Sequence, residues 1–214
     1  MVGLTWFKKT HKTTHLNESI RNLFTPLHIL HRQKLMSKEI FDPIQVQAAI
    51  QTMTDWILLN HKENILHSSI VIVGIERGGV HVQSRIIHEL TKRLKQDTSL
   101  EDISIEQGSL NITMYRDDLY TGLEKPILGV SHIPVSIKDK NVVVIDDVLF
   151  TGRTVRAALQ ELLDYGRPKK IELIVLLDRG GRELPIQPNF SALSYNVPND
   201  IKIRVSLRDL KNQN

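Results

Sequence analysis

Two adjacent carboxylates, Asp146 and Asp147, are the residues of this chain best suited to chemistry. They follow a run of β-branched residues over 142–145, which is typical of a strand buried on both faces of a parallel sheet. Carboxylates repel a phosphate, but they accept hydrogen bonds from sugar hydroxyls and can bind a metal ion that accompanies phosphates. The pair therefore indicates a ligand with hydroxyls, or a metal ion bound together with phosphates.

The loop after the acidic pair has the composition of a phosphate site. It contains Thr151, Gly152, Arg153 and Thr154, and it leads into an amphipathic helix that begins near Val155. A helix N-terminus offers unpaired N–H groups and the positive end of the helix dipole, and the loop adds hydroxyl and guanidinium donors. Strand, acidic pair, loop and helix together predict a phosphorylated sugar as ligand. The alternative is an ordinary strand–helix unit with a solvated turn.

A second glycine-containing turn follows another predicted strand. Residues 69–75 are almost continuously apolar, and Arg77, Gly78 and Gly79 lead from them into a helix predicted from Val80 to Leu94. Backbone N–H groups in such a turn can bind a diphosphate. The alternative is a structural turn that carries a solvated arginine.

The remaining patterns predict further elements of an α/β domain. Pro43 opens a helix that extends to about residue 60. Residues 103–116 predict one long strand, or a hairpin broken near residues 107–108, and an unpatterned segment over 120–131 follows. Such a long loop beside a site is more often functional than idle. Further strands are predicted over 171–177, 194–197 and 201–207, and the first of them ends in a charged, glycine-rich loop that begins at Asp178.

The positive charge of the chain is concentrated in its first 35 residues. The 214 residues, long enough for one domain with a sizeable core, carry a formal net charge of +4. Residues 1–35 contain six Lys or Arg and one Glu, whereas the remainder has a net charge of −1. We expect residues 1–35 to be a poorly ordered basic extension, with Met36 as a second candidate start. A nucleic-acid-binding arm, or a metal site built from its four histidines, is the alternative.

The composition also bears on the compartment. The chain has no cysteine, which fits a cytoplasmic protein without requiring one. It has no apolar run long enough to cross a bilayer, and residues 1–35 lack the apolar stretch of a secretory signal. We therefore expect a cytoplasmic protein.

Three segments of the sequence resemble the PyrR family of type I phosphoribosyltransferases. They read ITMYRDDL at 112–119, HIPVSIKDKNVVVIDDVLFTGRTVRAALQELLDYGRP at 132–168 and LLDRGGRELPI at 176–186. The resemblance implies an α/β fold, with a mostly parallel twisted sheet flanked by helices, a small hood and a flexible loop, in a domain over residues 36–214. It also implies a homodimer that makes UMP and pyrophosphate from uracil and phosphoribosyl pyrophosphate (PRPP), with Mg²⁺ bound to PRPP.

The resemblance also implies roles for individual residues. Asp146 and Asp147 are expected to hold the ribose hydroxyls, and Arg77, Gly78 and Gly79 the pyrophosphate. The 5′-phosphate is assigned to Val148, Thr151, Gly152, Arg153 and Thr154. The flexible loop and base pocket are assigned to Arg116, Asp117, Phe150 and Arg179, and Asp178 is a candidate to position a metal ion.

Two positions bear on the choice of base and on regulation. Purine-specific relatives carry an acidic residue where this chain has Phe150, so the resemblance favours a pyrimidine. RNA-binding relatives place basic residues and a histidine at positions where this chain has Gln51, Thr52, Asp55, Asn60 and Gly181. Three functions therefore stay open: a uracil phosphoribosyltransferase, a nucleotide-sensing regulator that binds leader mRNA with secondary or lost catalysis, and a phosphoribosyltransferase for another base.

Overall fold

The computed structural model describes residues 3–8, 37–96, 105–115 and 129–207, and it contains eight strands and three α-helices in these ranges. In chain order they are β1 (Gly3–Lys8), β2 (Ser37–Phe41), α1 (Pro43–Leu66), β3 (Ile70–Ile75), α2 (Gly78–Leu94), β4 (Glu106–Leu110), β5 (Asn141–Leu149), α3 (Arg153–Asp164), β6 (Lys170–Asp178), β7 (Phe190–Ser194) and β8 (Ile201–Ser206). A 3₁₀ turn over Thr113–Tyr115 follows β4.

Five of the strands form one parallel sheet in the order β4-β3-β5-β6-β7. Buried residues of β3, β5 and β6 alternate between two apolar clusters, one shared with α1 and α2 and the other with α3. Helices therefore cover both faces, which explains why the central strands are apolar almost throughout. The predicted α/β fold with a parallel sheet is confirmed.

The other three strands form a separate antiparallel sheet in the order β2-β1-β8. We call this sheet the hood. Its β8 alternates between half-buried and exposed residues, as expected when only one face of a strand is covered. The sequence predicted β8 over 201–207, close to its observed range, but it did not predict β1 or β2.

Several element boundaries differ from those predicted. β5 continues to Leu149, so the acidic pair lies inside the strand rather than beyond it. Gly108 is no hairpin turn: it pairs with Val73 in the parallel sheet, and a Cβ at this position would crowd the His132 carbonyl oxygen. The strand predicted over 194–197 lies earlier, at Phe190–Ser194. α1 continues beyond residue 60 to Leu66, and its last turns bury His61 and Ile65.

Residues 3–8, which the sequence assigned to a poorly ordered extension, instead form the central strand of the hood. Leu4 is fully buried and belongs to the apolar cluster that includes α1 and α2. Residues 9–36 lie outside the described ranges. The poorly ordered extension therefore stays a prediction for residues 9–35. Within the described ranges, no helix has the length and apolar character needed to span a membrane.

Candidate active site

The carboxyl ends of β3, β5 and β6 meet at one edge of the parallel sheet. These strands are neighbours with the same direction, so the residues at their ends converge there, as is usual at ligand sites of open α/β sheets. Between this edge and the hood lies a cavity of about 630 Å³. It is lined by Arg77, Gly78, His81, Asp147, Val148, Phe150, Arg179, Asn199, Ile201, Lys202, Ile203, Arg204 and Val205.

The acidic pair borders this cavity through one of its two residues. Asp147 lines it, whereas Asp146 is only 4% exposed and lies behind the lining. The Asp147 N–H donates to Asp146 Oδ1 at 2.9 Å, and the Val148 N–H donates to Asp147 Oδ1 at 2.9 Å. Burial raises the pKa of Asp146 well above its ordinary value, and the charge of Asp147 raises it further. Burial also raises the pKa of Asp147. A cation or hydroxyl donors in the cavity would offset this cost of burying charge.

The turn after β3 packs directly against the acidic pair. A Cβ on Gly78 would overlap the Asp147 carboxylate, and a Cβ on Gly79 would overlap a backbone carbonyl of β5. Both positions therefore require glycine for the turn to lie this close to β5. Arg77 precedes α2 and lines the cavity, as a pyrophosphate-binding side chain would need to do.

Glu76 fixes the same turn from the side opposite the acidic pair. Its N–H donates to the Leu110 carbonyl at 2.9 Å, and its carboxylate accepts hydrogen bonds from Asn111 Nδ2 at 2.7 Å and Ser109 Oγ at 3.4 Å. The peptide bond between Glu76 and Arg77 is cis. Glu76 was not predicted from the sequence, because its partners lie more than thirty residues away and a single glutamate after a strand forms no local pattern.

The predicted phosphate loop, residues 151–154, lies at the same sheet edge but does not line the cavity. Gly152 is the N-cap of α3 with a φ of +91°, a conformation that favours glycine. The Glu183 N–H donates to the Thr151 carbonyl at 3.0 Å, and Arg153 Nε donates to Glu183 Oε2 at 2.7 Å. The loop is therefore held against the segment after β6, and its residues surround the N-terminus of α3, where an anion is favoured.

Phe150 and Arg179 line the same cavity and contact each other. The Arg179 guanidinium lies over the Phe150 ring, 4.0 Å from its centroid. Its Nη1 donates to the Ile201 carbonyl at 2.7 Å and its Nη2 to the Pro198 carbonyl at 3.0 Å. Arg179 is only 5% exposed. It therefore joins the end of β6 to the start of β8 and positions the aromatic ring.

Asp178 does not face the cavity. Its carboxylate accepts hydrogen bonds from Arg182 Nη2 at 2.6 Å and from the Gly180 N–H at 2.9 Å. These contacts occupy both oxygens, so they do not support a metal-positioning role for Asp178. No group of three or more potential metal ligands occurs among the described residues. Arg116 and Asp117 lie outside the described residues.

The cavity has an excess of positive charge, which is suited to a ligand with several negative charges. Arg77, Arg179, Lys202 and Arg204 line it, the last two from the hood, whereas Asp147 is the single carboxylate among the described lining residues. Lys202 and Arg204 were not predicted from the sequence. The alternation of Ile201, Ile203 and Val205 signals a strand, but nothing local indicates that this strand covers the end of a distant sheet.

Comparison with known proteins gives the family. The family model described as phosphoribosyl transferase domain matches residues 36–208. A Bifunctional protein PyrR of Latilactobacillus sakei is 43% identical over 179 residues, which is 82% of this chain and 93% of that protein. The chain belongs to the PyrR family of phosphoribosyltransferases. A second PyrR, from Enterococcus faecalis OG1RF, is 44% identical over 161 residues, 75% of this chain and 83% of that protein.

Solved structures support the fold of this PyrR-family chain. A hypoxanthine phosphoribosyltransferase of Trypanosoma cruzi matches with a TM-score of 0.56 at 15% identity, covering 75% of this chain and 81% of that one. The corresponding Staphylococcus aureus enzyme gives a TM-score of 0.52 at 21% identity, covering 73% and 75%. These structural matches support the type I phosphoribosyltransferase fold. At identities this low they do not bear on the choice of base.

Proposed function

We propose that the chain transfers the phosphoribosyl group of Mg²⁺-bound PRPP to uracil, forming UMP and pyrophosphate. The observation that carries the proposal is the shared cavity: the glycine turn after β3, the carboxylate of Asp147 and the Phe150–Arg179 pair all border it. We assign them to pyrophosphate, ribose and base, in the order in which these groups are joined in the reactants. Membership of a phosphoribosyltransferase family agrees with this order.

In this proposal, the sheet edge binds the phosphorylated sugar. The N–H groups near Gly78 and the guanidinium of Arg77 would hold the pyrophosphate, and the 151–154 loop would hold the 5′-phosphate. Asp147 would accept hydrogen bonds from the ribose hydroxyls, with Asp146 behind it. These contacts fix the ribose C1 in line between the leaving oxygen and the incoming base nitrogen.

The reaction needs no covalent nucleophile from the protein. The bond from C1 to the pyrophosphate oxygen breaks with its electron pair on the oxygen, the bond from uracil N1 to C1 forms, and the N1 proton passes to the departing pyrophosphate or to water. Positive charge develops on the ribose ring and negative charge on the pyrophosphate, so Arg77 stabilises the departing group.

The residues fit a metal ion brought by PRPP rather than one held by the protein alone. Asp147 is a half-buried carboxylate with a raised pKa on the cavity wall, and the described residues contain no three-ligand cluster. Asp147 would therefore either bind the ion directly or bind the ribose hydroxyls that contact it. When bound, Mg²⁺ would neutralise phosphate charge and stabilise the leaving pyrophosphate.

The part of the cavity beside Phe150 is suited to a pyrimidine. Phe150 offers a flat apolar face and cannot exchange a proton with a purine ring nitrogen. Five consecutive β8 residues, Ile201 to Val205, line the cavity, so the backbone of the strand takes part in its wall. Alternating N–H and C=O groups of a strand edge complement the acceptor–donor–acceptor edge of uracil.

Control of pyrimidine genes through leader mRNA is a second candidate function, because the matched relatives are named bifunctional. The outer face of α1 supplies little for phosphate contacts: Gln51, Thr52 and Asn60 are exposed and uncharged, and Asp55 is paired with Arg93. Gly181 has a φ of +72°, and a Cβ there would overlap the Phe150 ring, so a histidine at this position would require rearrangement. These contacts favour catalysis as the main function.

On family resemblance, we further propose a cytoplasmic homodimer.

A base-specificity assay tests the proposal. UMP formation from uracil and PRPP is measured with and without Mg²⁺, with orotate, hypoxanthine and xanthine as comparison bases. We expect turnover that requires Mg²⁺ and is selective for uracil. Turnover with another base would overturn the choice of uracil, and binding of PRPP or UMP without any turnover would favour a nucleotide sensor. A steep, linear dependence of leader-RNA affinity on salt concentration would support the regulatory function.

A further inference from the structure

The wall of the cavity on the hood side is formed by β8. Ile201 to Val205 line the cavity in sequence, although alternate side chains of a strand point to opposite faces. An unbroken run of five lining residues therefore indicates that the strand's backbone, and not only one row of its side chains, borders the cavity. Among the described residues, β8 has a single strand neighbour, β1.

That neighbour comes from the N-terminus of the chain. β1 pairs with β8 over six residues, from Gly3 opposite Ser206 to Lys8 opposite Ile201, and it pairs with β2 on its other side. β2 and β8 do not pair with each other in the sheet order β2-β1-β8. Without β1, neither would have a strand partner in the described structure.

One side chain anchors β1 to the body of the protein. Leu4 is 0% exposed and is paired with Val205, which lines the cavity. It belongs to the same apolar cluster as α1 and α2, with Phe41 of β2 and Val205 of β8 packed against that cluster. A Cβ on Gly3 would crowd the Glu39 carboxylate, so β1 also lies close to β2. The position of β8 is therefore linked to the core through Leu4.

We propose that residues 3–8 are a positioning segment for the base site, with Leu4 as its anchor. The family model begins at residue 36, so this contribution comes from outside the matched domain. The segment touches no reacting atom: it holds β8, which borders the same cavity as Phe150 and Arg179. The inference rests on the proposed function in one respect, namely that the ring bound there is uracil.

The test compares two buried leucines in the full chain. Leu4→Ala removes the β1 anchor, and Leu90→Ala removes an equally buried side chain of α2 in the same apolar cluster. For Leu4→Ala we expect the KM for uracil to rise about tenfold, with kcat and the KM for PRPP changed less than about twofold. The amide hydrogens of β8 should also exchange faster. Leu90→Ala should lower thermal stability without either change.

Equal KM values for uracil in the two variants, or unchanged exchange of the β8 amides in Leu4→Ala, would overturn the inference. If Leu4→Ala does not fold, Leu4→Val provides a smaller deletion at the same site. We expect the KM for uracil and the exchange rate of the β8 amide hydrogens both to increase in this variant as well. Absence of uracil turnover in the unmodified protein would contradict the proposed function instead. In that case faster β8 exchange in the Leu4 variant would still support the positioning segment, and unchanged exchange would still overturn it.

Discussion

The parallel sheet and the hood border the same cavity, but they are built in different ways. The centre of the sheet consists of two strand–helix units, β3–α2 and β5–α3, each continuous in sequence, and most residues of the two strands are buried. The hood combines residues 3–8, 37–41 and 201–206, which are far apart in the chain, and its β8 is half exposed. In the proposed function, the sheet binds the phosphorylated sugar that all substrates of this enzyme class share, and the hood faces the base.

This difference suggests how reaction and selectivity are divided in the molecule. The glycine turn and the acidic pair are locked together by close packing, which leaves little freedom for a different sugar phosphate. The hood is joined to the sheet edge by fewer contacts, among them the two hydrogen bonds of Arg179. Changes at the sheet edge should therefore abolish turnover, whereas changes at the hood should alter base affinity.

The largest expected effect comes from Asp147→Asn at the sheet edge. The substitution keeps the shape but removes the charge that holds the ribose hydroxyls, so kcat should fall at least about 100-fold. Folding should be unaffected in thermal denaturation. Asp139→Asn, which changes an exposed aspartate with a positive φ that asparagine tolerates, is the matched control and should retain full activity. Wild-type turnover in a folded Asp147→Asn protein would remove Asp147 from the mechanism.

Gly78→Ala should have the next largest effect. Its Cβ would overlap the Asp147 carboxylate, so either that carboxylate or the turn must move. Either displacement should lower kcat/KM for PRPP between about tenfold and 100-fold. Calorimetric titration of PRPP provides the check, and unchanged affinity would show that this turn does not contact the pyrophosphate.

Arg179→Lys tests the hood side of the comparison. Lysine keeps the charge but cannot donate to the Pro198 and Ile201 carbonyls in the same planar arrangement or cover the Phe150 ring equally well. The KM for uracil should rise about tenfold, while the KM for PRPP changes little. Steady-state kinetics with each substrate varied in turn measure both. An equal rise in the two KM values would contradict the division between sheet and hood.

The smallest expected effect is one of stability, in the ligand-free protein. Burial raises the pKa of Asp146 in the folded state above its unfolded value, so the folded protein binds more protons between these two values. Stability should therefore fall as pH rises through this window. Asp146→Asn should be more stable than the wild type at neutral pH, and the difference should disappear toward acid pH. Urea unfolding at several pH values checks this, and a less stable Asp146→Asn protein at pH 7 would contradict it.

Most of the parallel sheet could be predicted from the sequence because its signals are local. The apolar run before Asp146, the loop at 151–154 and the helix after it lie within about twenty residues and follow the period of their own element. The turn at 77–79 was found for the same reason. Only boundaries were missed there, such as the extension of β5 through the acidic pair.

The hood could not be predicted because its pairing is not local. Residues 3–8 have no hydrophobic period that distinguishes them from the rest of residues 1–35. They become a strand only because β2 and β8 lie on either side. Glu76 was missed for the same reason, since its role depends on hydrogen bonds from Ser109 and Asn111. Tertiary contacts, rather than the sequence near these residues, determine what they do.

The most direct test of the account is a crystal structure of the protein with UMP. We predict that the 5′-phosphate lies at the N-terminus of α3 and that the ribose hydroxyls lie within hydrogen-bond distance of Asp147. The uracil ring should lie between Phe150 and the backbone of β8. A UMP molecule bound away from the cavity, or bound there with its base toward Arg77, would contradict the assignment of sugar to sheet and base to hood.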